Sequence, residues 1–456
     1  MMKTAITFFC TIFVSLPVFA QSISKADAIE DINFLDKTIR AVHYNPFLFS
    51  STSKYLKKVN QLKSSIPDSI DTKLFTLKLT EMTAVIGDAH TAPTIIQSIF
   101  KSDFRKPIFL PITFIADKKN KVYADGKSKS DIIPAGAEIL SINGTSVQKF
   151  YQECALRSGG LQSYSNEIAI KMMGYNLYLS DIKAPFKIVY IYKNKKQIKT
   201  LSEGTILRNI IADVFPNLVN NPYSFRILKN KIGYLELNTL EGDYHPYLKF
   251  FDSCFTIIKE KHLKTIAIDI RKNTGGNSIN ADLLLGYFNS KKYTLTSGKY
   301  WKISRLYKNE LIKHGDSSNI YLKQDDDSIW QTETCAPYDP KYISEEAFFK
   351  GKVYVITGPM TFSSANMLAD GIKRFNLATL IGEPTGENTN DFGEGYRFLL
   401  PKSKISMSVS TSFDMGADCN EKTKHPVNPD KSIYTSYIDK IKGTDPVLLY
   451  ILKEAE

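Results

Sequence analysis

In the stretch TFSSANMLADGIKRF, from Thr361, two serines, Ser363 and Ser364, stand at the foot of an apolar helical pattern, directly behind the strand-like run VYVITG. A serine there either caps the helix, which serine does well, or attacks an electrophilic carbon. A lone hydroxyl is a poor nucleophile, so attack requires a base within hydrogen-bond reach and N–H donors for the oxyanion. A strand-to-helix turn supplies part of this, because the positive helix end faces the serine and the backbone N–H of Ser364 can point at developing charge. A second loop, AIDIRKNTGGNS, sets Asp269, Arg271, Asn273 and the pair Gly275-Gly276 after a buried strand. Paired glycines let backbone approach a ligand and present N–H groups, or simply make a turn. Histidine suits the base, since its ordinary pKa of about 6.5 lets it take and return a proton near neutrality. His90 lies in the turn-like IGDAHTAP, and taken alone it reads as structural, as do His43, His245, His262, His314 and His425.

These residues depend on the elements that carry them. From Arg226 onward, IGYLELNTL reads as a strand, YLKFFDSCFTIIKEKH as a helix, TIAIDI as a buried strand, SINADLLLGYF as a helix, VYVITG as a strand, SSANMLADGIKRF as a helix and ATLIGEPT as a strand. That alternation predicts an α/β domain with parallel pairing, whose chemistry belongs on loops at the carboxyl ends of its strands. Upstream, from Ser24 to about Ile99, apolar residues in DAIEDINFLDKTIRAV and LFTLKLTEMTAVI recur three and four apart. This is a helical unit, with Asp71 or Thr72 offering N-cap chemistry before its second pattern. Between about Lys106 and Glu203, the short runs FLPITFIA, KVYADG, AEILSING and PFKIVYIYKNKKQIKTLS predict a compact β-rich module. In IPAGAEILSINGTSVQKF, Gly136 precedes a strand, Asn143-Gly144 makes a tight turn and a helix follows. The phrase resembles a PDZ domain, a module that takes an extended peptide or chain terminus onto an open sheet edge.

The 456 residues suggest two or three domains, and 43% hydrophobic with 23% charged residues, without repeats or low-complexity tracts, describes a globular chain. The formal charge of +12 is diffuse. Clusters such as KNKKQIK alternate with acidic segments, which reads as solvated faces rather than a nucleic-acid groove. The first twenty residues, MMKTAITFFCTIFVSLPVFA, have an early lysine, an apolar stretch from Ala5, and Val18 and Ala20 where a signal peptidase reads. They predict a secretory signal cleaved before Gln21 and a periplasmic or extracellular protein; no later run approaches spanning length, so no stable membrane span is expected. Of the cysteines that remain, Cys154, Cys254, Cys335 and Cys419, none forms a CxxC pair, so no metal site or redox motif follows and disulfide pairing stays open.

The set DIRKNTGG, TFSSAN and IGEPTG, in this order behind a PDZ-like module, resembles the S41 serine peptidases, the carboxy-terminal processing and tricorn-core proteases. HYNPFLF, GDAHT, IGYLELNTL and HPVNPDKSI are also similar to segments of that family. The resemblance implies an α/β catalytic domain with a ClpP/crotonase-like core, an N-terminal helical unit and a β-rich PDZ-like domain. The expected layout is a signal over 1–20, a helical region over 21–105, the PDZ-like domain over 106–205 and the peptidase domain over 206–456. It makes Ser363 the nucleophile, with oxyanion N–H groups from Ser364 and from Gly275 or Gly276. The Ser/Lys branch carries its lysine just after the GEPT-like stretch, where this chain has Asn388. The tricorn-like branch instead uses an amino-terminal histidine, which matches His90, and a later glutamate, which matches Glu421 with Asp418 as rival. That branch places a serine before the histidine, and here Ala89 stands there.

The resulting expectation is an exported serine endopeptidase acting on proteins or peptides, with no metal or organic cofactor and no nucleic-acid partner. One alternative is a non-catalytic relative that binds peptide ends through the PDZ-like groove. The other is a hydrolase of another acyl compound with the same serine machinery.

Overall fold

The runs IGYLEL, TIAID, KVYVIT and TLIG become the strands Ile232–Leu237, Thr265–Asp269, Lys352–Thr357 and Thr379–Gly382, side by side and parallel. Tyr223–Leu228 closes one edge antiparallel, and Lys431–Ser432 adds a short parallel strand at the other. Strands buried on both faces need helices on both. Tyr244–Glu260, Ser278–Leu285 and Ser364–Phe375 cover one face through a core that includes Phe251, Phe255, Leu284 and Leu368. Pro446–Glu454 covers the other through Val447 and Ile451. In this computed structural model the described residues are 22–94, 97–126, 133–211, 222–229, 231–332 and 335–455. The expected signal over 1–20 lies outside them.

The helical unit comprises Lys25–Val42, Thr52–Ser65 and Thr72–Ala84, the last capped by Asp71, whose carboxylate accepts from the N–H groups of Lys73 and Leu74. Its core takes in Tyr396, Leu400, Ile405, Met407 and Val409 from far along the chain. Asp31, fully buried, accepts the backbone N–H groups of Lys402 and Ser403, each at 2.8 Å. The β-rich module forms a six-stranded antiparallel sheet that includes Glu138–Ile142, Phe186–Tyr192 and Lys195–Leu201. Its turns at Asn143-Gly144 and Lys193-Asn194 carry positive φ at both residues, as two-residue hairpins of this twist require. It also contains the helices Gln162–Lys171 and Met173–Leu179, which the β-rich reading did not anticipate.

Two further sheets were not legible as strand patterns. Gly298–Lys302, Ile329–Thr332, Asp391–Gly393 and Ser412–Met415 form one, in which Asp391 and Asp414 lie directly opposite each other and Lys299 is opposite Asp414. The other pairs Tyr396–Leu399 with Ser406–Val409, and the latter with Ala92–Pro93. It fixes the chain just after His90 to the carboxy-terminal third. Cys335 and Cys419 form a disulfide, while Cys154 and Cys254 are free and buried. Among the described residues no helix is long and apolar enough to cross a membrane.

Asp31→Ala would leave two N–H groups without their acceptor. Two bonds to a charged group set the loss at about 3 kcal/mol, to be read as a lower urea midpoint with unchanged m-value.

Candidate active site

Whether Ser363 caps its helix has a geometric answer. Ser24, Ser51, Ser146 and Ser436 precede helices with negative φ, and each side chain accepts an N–H from the third helical residue. Ser363 precedes the helix Ser364–Phe375 with φ +53° and ψ −129° and makes no cap bond. A serine at positive φ is strained, and its hydroxyl makes no capping bond to its own helix.

The surroundings hold it there. Thr361 donates its hydroxyl to the carbonyl of Ile270 at 2.9 Å, and its own carbonyl accepts the N–H of Gly386 at 3.0 Å. Phe362 N–H donates to the carbonyl of Asn273 at 3.0 Å, and Ser363 N–H donates to Glu387 Oε2. Fully buried Asn273 uses Nδ2 on the carbonyl of Leu237 and Oδ1 on the N–H of Gly275. A Cβ on Gly275 would sit 2.6 Å from that of Ser363, and one on Gly276 would sit 2.2 Å from the N of Glu241. With φ +100° and +134°, both positions require glycine for space and for conformation. Because the N–H of Gly275 is taken by Asn273, no bond competes at Gly276 or Ser364 among the described residues. The Ser364 hydroxyl donates to the carbonyl of Gly276 at 2.7 Å, tying the two loops together.

His90 comes to the same place. Its ring packs on Phe362 with centroids 4.8 Å apart, and its Nδ1 lies 3.5 Å from Glu387 Oε1 and 3.6 Å from Asp88 Oδ1. Asp88 Oδ1 also accepts the N–H of His90 at 2.8 Å. Asp88 Oδ2 faces His43 Nε2 at 3.1 Å, Thr91 Oγ1 at 2.5 Å and Ser410 Oγ at 2.7 Å. His43 Nδ1 accepts the N–H of Asn45 at 3.1 Å, so Nε2 carries the proton and donates to Asp88.

Burial works on each of these groups, and its outcome depends on the neighbours. It pushes the Asp88 carboxyl up, but the hydrogen bonds of His43 and His90 outweigh it and hold Asp88 well below the usual range. It lowers His90, yet Asp88, Asp391 and Asp414 prevail and raise it. Glu387, 2% exposed, is raised well above its ordinary value by burial and the adjacent Asp391. Asp391 is raised to about 7 by burial and by Asp88.

The structure does not bring the expected acid Glu421 into hydrogen-bond or ion-pair contact with His90 among the described residues. Glu421 accepts from the hydroxyl of Tyr300 at 3.0 Å. Its rival Asp418 bonds locally, to Thr423 Oγ1 at 2.6 Å and the N–H of Asn420 at 3.2 Å. The acids at His90 are Asp88 and Glu387, which were not singled out from sequence. Asp88 stands two residues before His90, and Glu387 directly before Asn388, so proximity in sequence was a usable signal. Asn388 is nearly buried, and its carbonyl accepts from Asn366 Nδ2 at 2.7 Å. Asp269 and Arg271 form a structural brace, bonded to each other and, through Arg271, to Asp445 at 2.6 Å. Among the described residues no group of His, Cys, Asp or Glu side chains is arranged to hold a metal ion.

The parallel sheet and the serine loop over it are those of a peptidase of the serine type. Residues 231–432 match the model of peptidase family S41, so that segment of the chain is similar to the peptidases of that family. Among solved structures, mature CPAF complexed with lactacystin aligns with a TM-score of 0.68 at 13% identity, covering 94% of this chain and 98% of that one. Mature CPAF aligns with 0.65 at 14% identity, over 94% and 96%. At such identities the likeness is one of fold. No curated protein sequence matches the chain.

Gly275→Ala would push Ser363 out of position. Labelling of Ser363 by a fluorophosphonate should slow about 100-fold, the cost of a displacement near 1 Å, while far-UV circular dichroism stays unchanged.

Proposed function

We propose that the mature chain from Gln21 is an exported serine endopeptidase, with Ser363 as nucleophile and His90 as general base. The observation that carries this reading is the uncapped, positive-φ Ser363, whose N–H shares the Glu387 carboxyl with the His90 ring. Because Nδ1 is turned to the acids, Nε2 is the nitrogen left for the serine proton. Ser363 Oγ attacks the scissile carbonyl as its proton passes to Nε2, and Asp88 steadies the imidazolium. The oxyanion is taken by the N–H groups of Ser364 and Gly276. Collapse breaks the C–N bond, His90 returns the proton to the leaving amine, and water repeats the sequence on the acyl-enzyme. The Nδ1 contacts of 3.5 and 3.6 Å are longer than hydrogen bonds, as suits a site without substrate, where such bonds tighten on binding.

The same reading assigns residues 106–205 to a PDZ-like domain. Its strand Lys195–Leu201 has one sheet neighbour among the described residues, an edge of the kind that takes an extended peptide. It keeps the helical region at 21–105 and the peptidase domain at 206–456. A cavity of about 130 Å3 lies beside the site, bounded by Ala89 next to His90 and by Tyr164, which stacks on Phe362. Leu77, Ile168, Met172 and Leu179 make it apolar, which favours an apolar side chain near the scissile bond.

Incubation of the mature chain with an unfolded protein, with mass mapping of the products, tests this. Cuts beside apolar residues are expected, with Ser363→Ala and His90→Ala each about 10^4-fold slower. Unchanged cutting by Ser363→Ala would remove the serine mechanism. No cutting by any form, with peptide ends still bound, would favour the non-catalytic relative suggested by Ala89 and Asn388.

A further inference from the structure

Asp88 cannot serve the imidazolium alone. Its Oδ2 already accepts from His43, Thr91 and Ser410, and its Oδ1 accepts the backbone N–H of His90 itself. A carboxylate has about four lone-pair positions, so little of Asp88 is left for Nδ1. Glu387 is the complement: its Oε2 takes the N–H of Ser363, while its Oε1 and the His90 Nδ1 that faces it have no hydrogen-bond partner among the described residues. We infer, resting on the serine peptidase reading, that Glu387 is a positioning residue that clamps the nucleophile's backbone with one oxygen and receives the Nδ1–H of His90 with the other.

The step balances without a further reactant. As the Ser363 Oγ–C bond forms, the hydroxyl proton moves to Nε2, and the Nδ1–H of the new imidazolium closes onto Glu387 Oε1. When the C–N bond breaks, the Nε2 proton leaves with the amine and the Nδ1 contact relaxes. One carboxyl thus ties the position of the attacking serine's loop to the charge state of the base.

The groups facing Glu387 set its pH behaviour. They are Asp88 and His90 on the 85–91 loop with His43 behind them, Tyr164 on Gln162–Lys171, Asp391 on Asp391–Gly393, and Asp414 across from it on Ser412–Met415 with Lys299 and Glu394 beyond. Glu387 and Asp391 are both buried, and the charge of Asp391 raises the Glu387 carboxyl. Burial raises Asp391 to about 7 and Glu387 well above its ordinary value, so both carboxyls lose charge as the pH falls. The negative charge offered to His90 weakens on that side.

Glu387→Gln keeps a carbonyl for the Ser363 N–H and removes the charge, which separates positioning from folding. We expect kcat/KM on a cut peptide to fall at least tenfold through kcat with KM unchanged, while the Tm at pH 8 holds or rises because a buried acid is gone. In a Ser363→Ala background, the His90 imidazole followed by NMR should titrate at lower pH when Glu387→Gln is added. That readout needs no turnover, so it stands even if the chain cuts nothing. Asp391→Asn should act in the opposite sense, freeing Glu387 to ionise and moving both the acid limb of kcat/KM and the Glu387 carboxyl resonance to lower pH. It also serves if Glu387→Gln does not fold. A His90 titration that ignores Glu387→Gln would overturn the inference, as would an acid limb and carboxyl resonance that ignore Asp391→Asn.

Discussion

A single backbone conformation organises the molecule: Ser363 at φ +53° and ψ −129°. For a residue with a Cβ this costs about 1–3 kcal/mol and persists only where the surroundings over-determine it. Here they do so from several directions. Gly275 lies against the serine Cβ, Glu387 holds its N–H, and its carbonyl accepts the N–H of Met367 at 3.0 Å as the helix begins. Released from these, the serine would relax to the negative φ of Ser24 or Ser51 and cap the helix with its hydroxyl. The strain is what keeps the hydroxyl and the first helical N–H groups available to a ligand.

The electrostatics of the site follow from who meets whom. Asp88 and Asp391 are both buried aspartates, but they titrate in opposite directions. Asp88 is ringed by donors, including a histidine whose tautomer is fixed by Asn45, and stays an anion. Asp391 is pushed up by burial and by the charge of Asp88. Two environments built from one residue type thus give a permanent counter-charge and a titrating one on either side of His90.

The departures from the family pattern at Ala89 and Asn388 have local explanations. A side chain larger than alanine at position 89 would crowd Gly160, whose own missing Cβ would lie 3.3 Å from that of Ala89. Asn388 is occupied in the packing of the helix behind Ser363 through Asn366. The histidine beside this helix comes from the amino-terminal helical unit, which could not deliver it as a loosely tethered appendage. Asp31 and the strand pairing at Ala92–Pro93 fasten that unit to the carboxy-terminal hairpin, so His90 is placed by contacts more than 300 residues apart in sequence.

The sequence by itself determined what local physics can determine. Buried parallel strands are legible as apolar runs, the turn at Asn143-Gly144 by residue type, and the cap at Asp71 by its side chain. The loops of Ser363, Ser364 and the glycine pair were legible because they follow strand-like runs, whereas His90 was picked out only through the family resemblance. The two additional sheets escaped because their strands are short and come from distant segments, so no periodicity announces them. Choosing Gly276 over Gly275 as the free donor required knowing where the side chain of Asn273 turns. Only the tertiary structure could set Asp88 and Glu387, rather than Glu421, beside His90, because the neighbours of a histidine are settled by which loops the fold brings within a few ångströms, and spacing along the chain does not encode that distance.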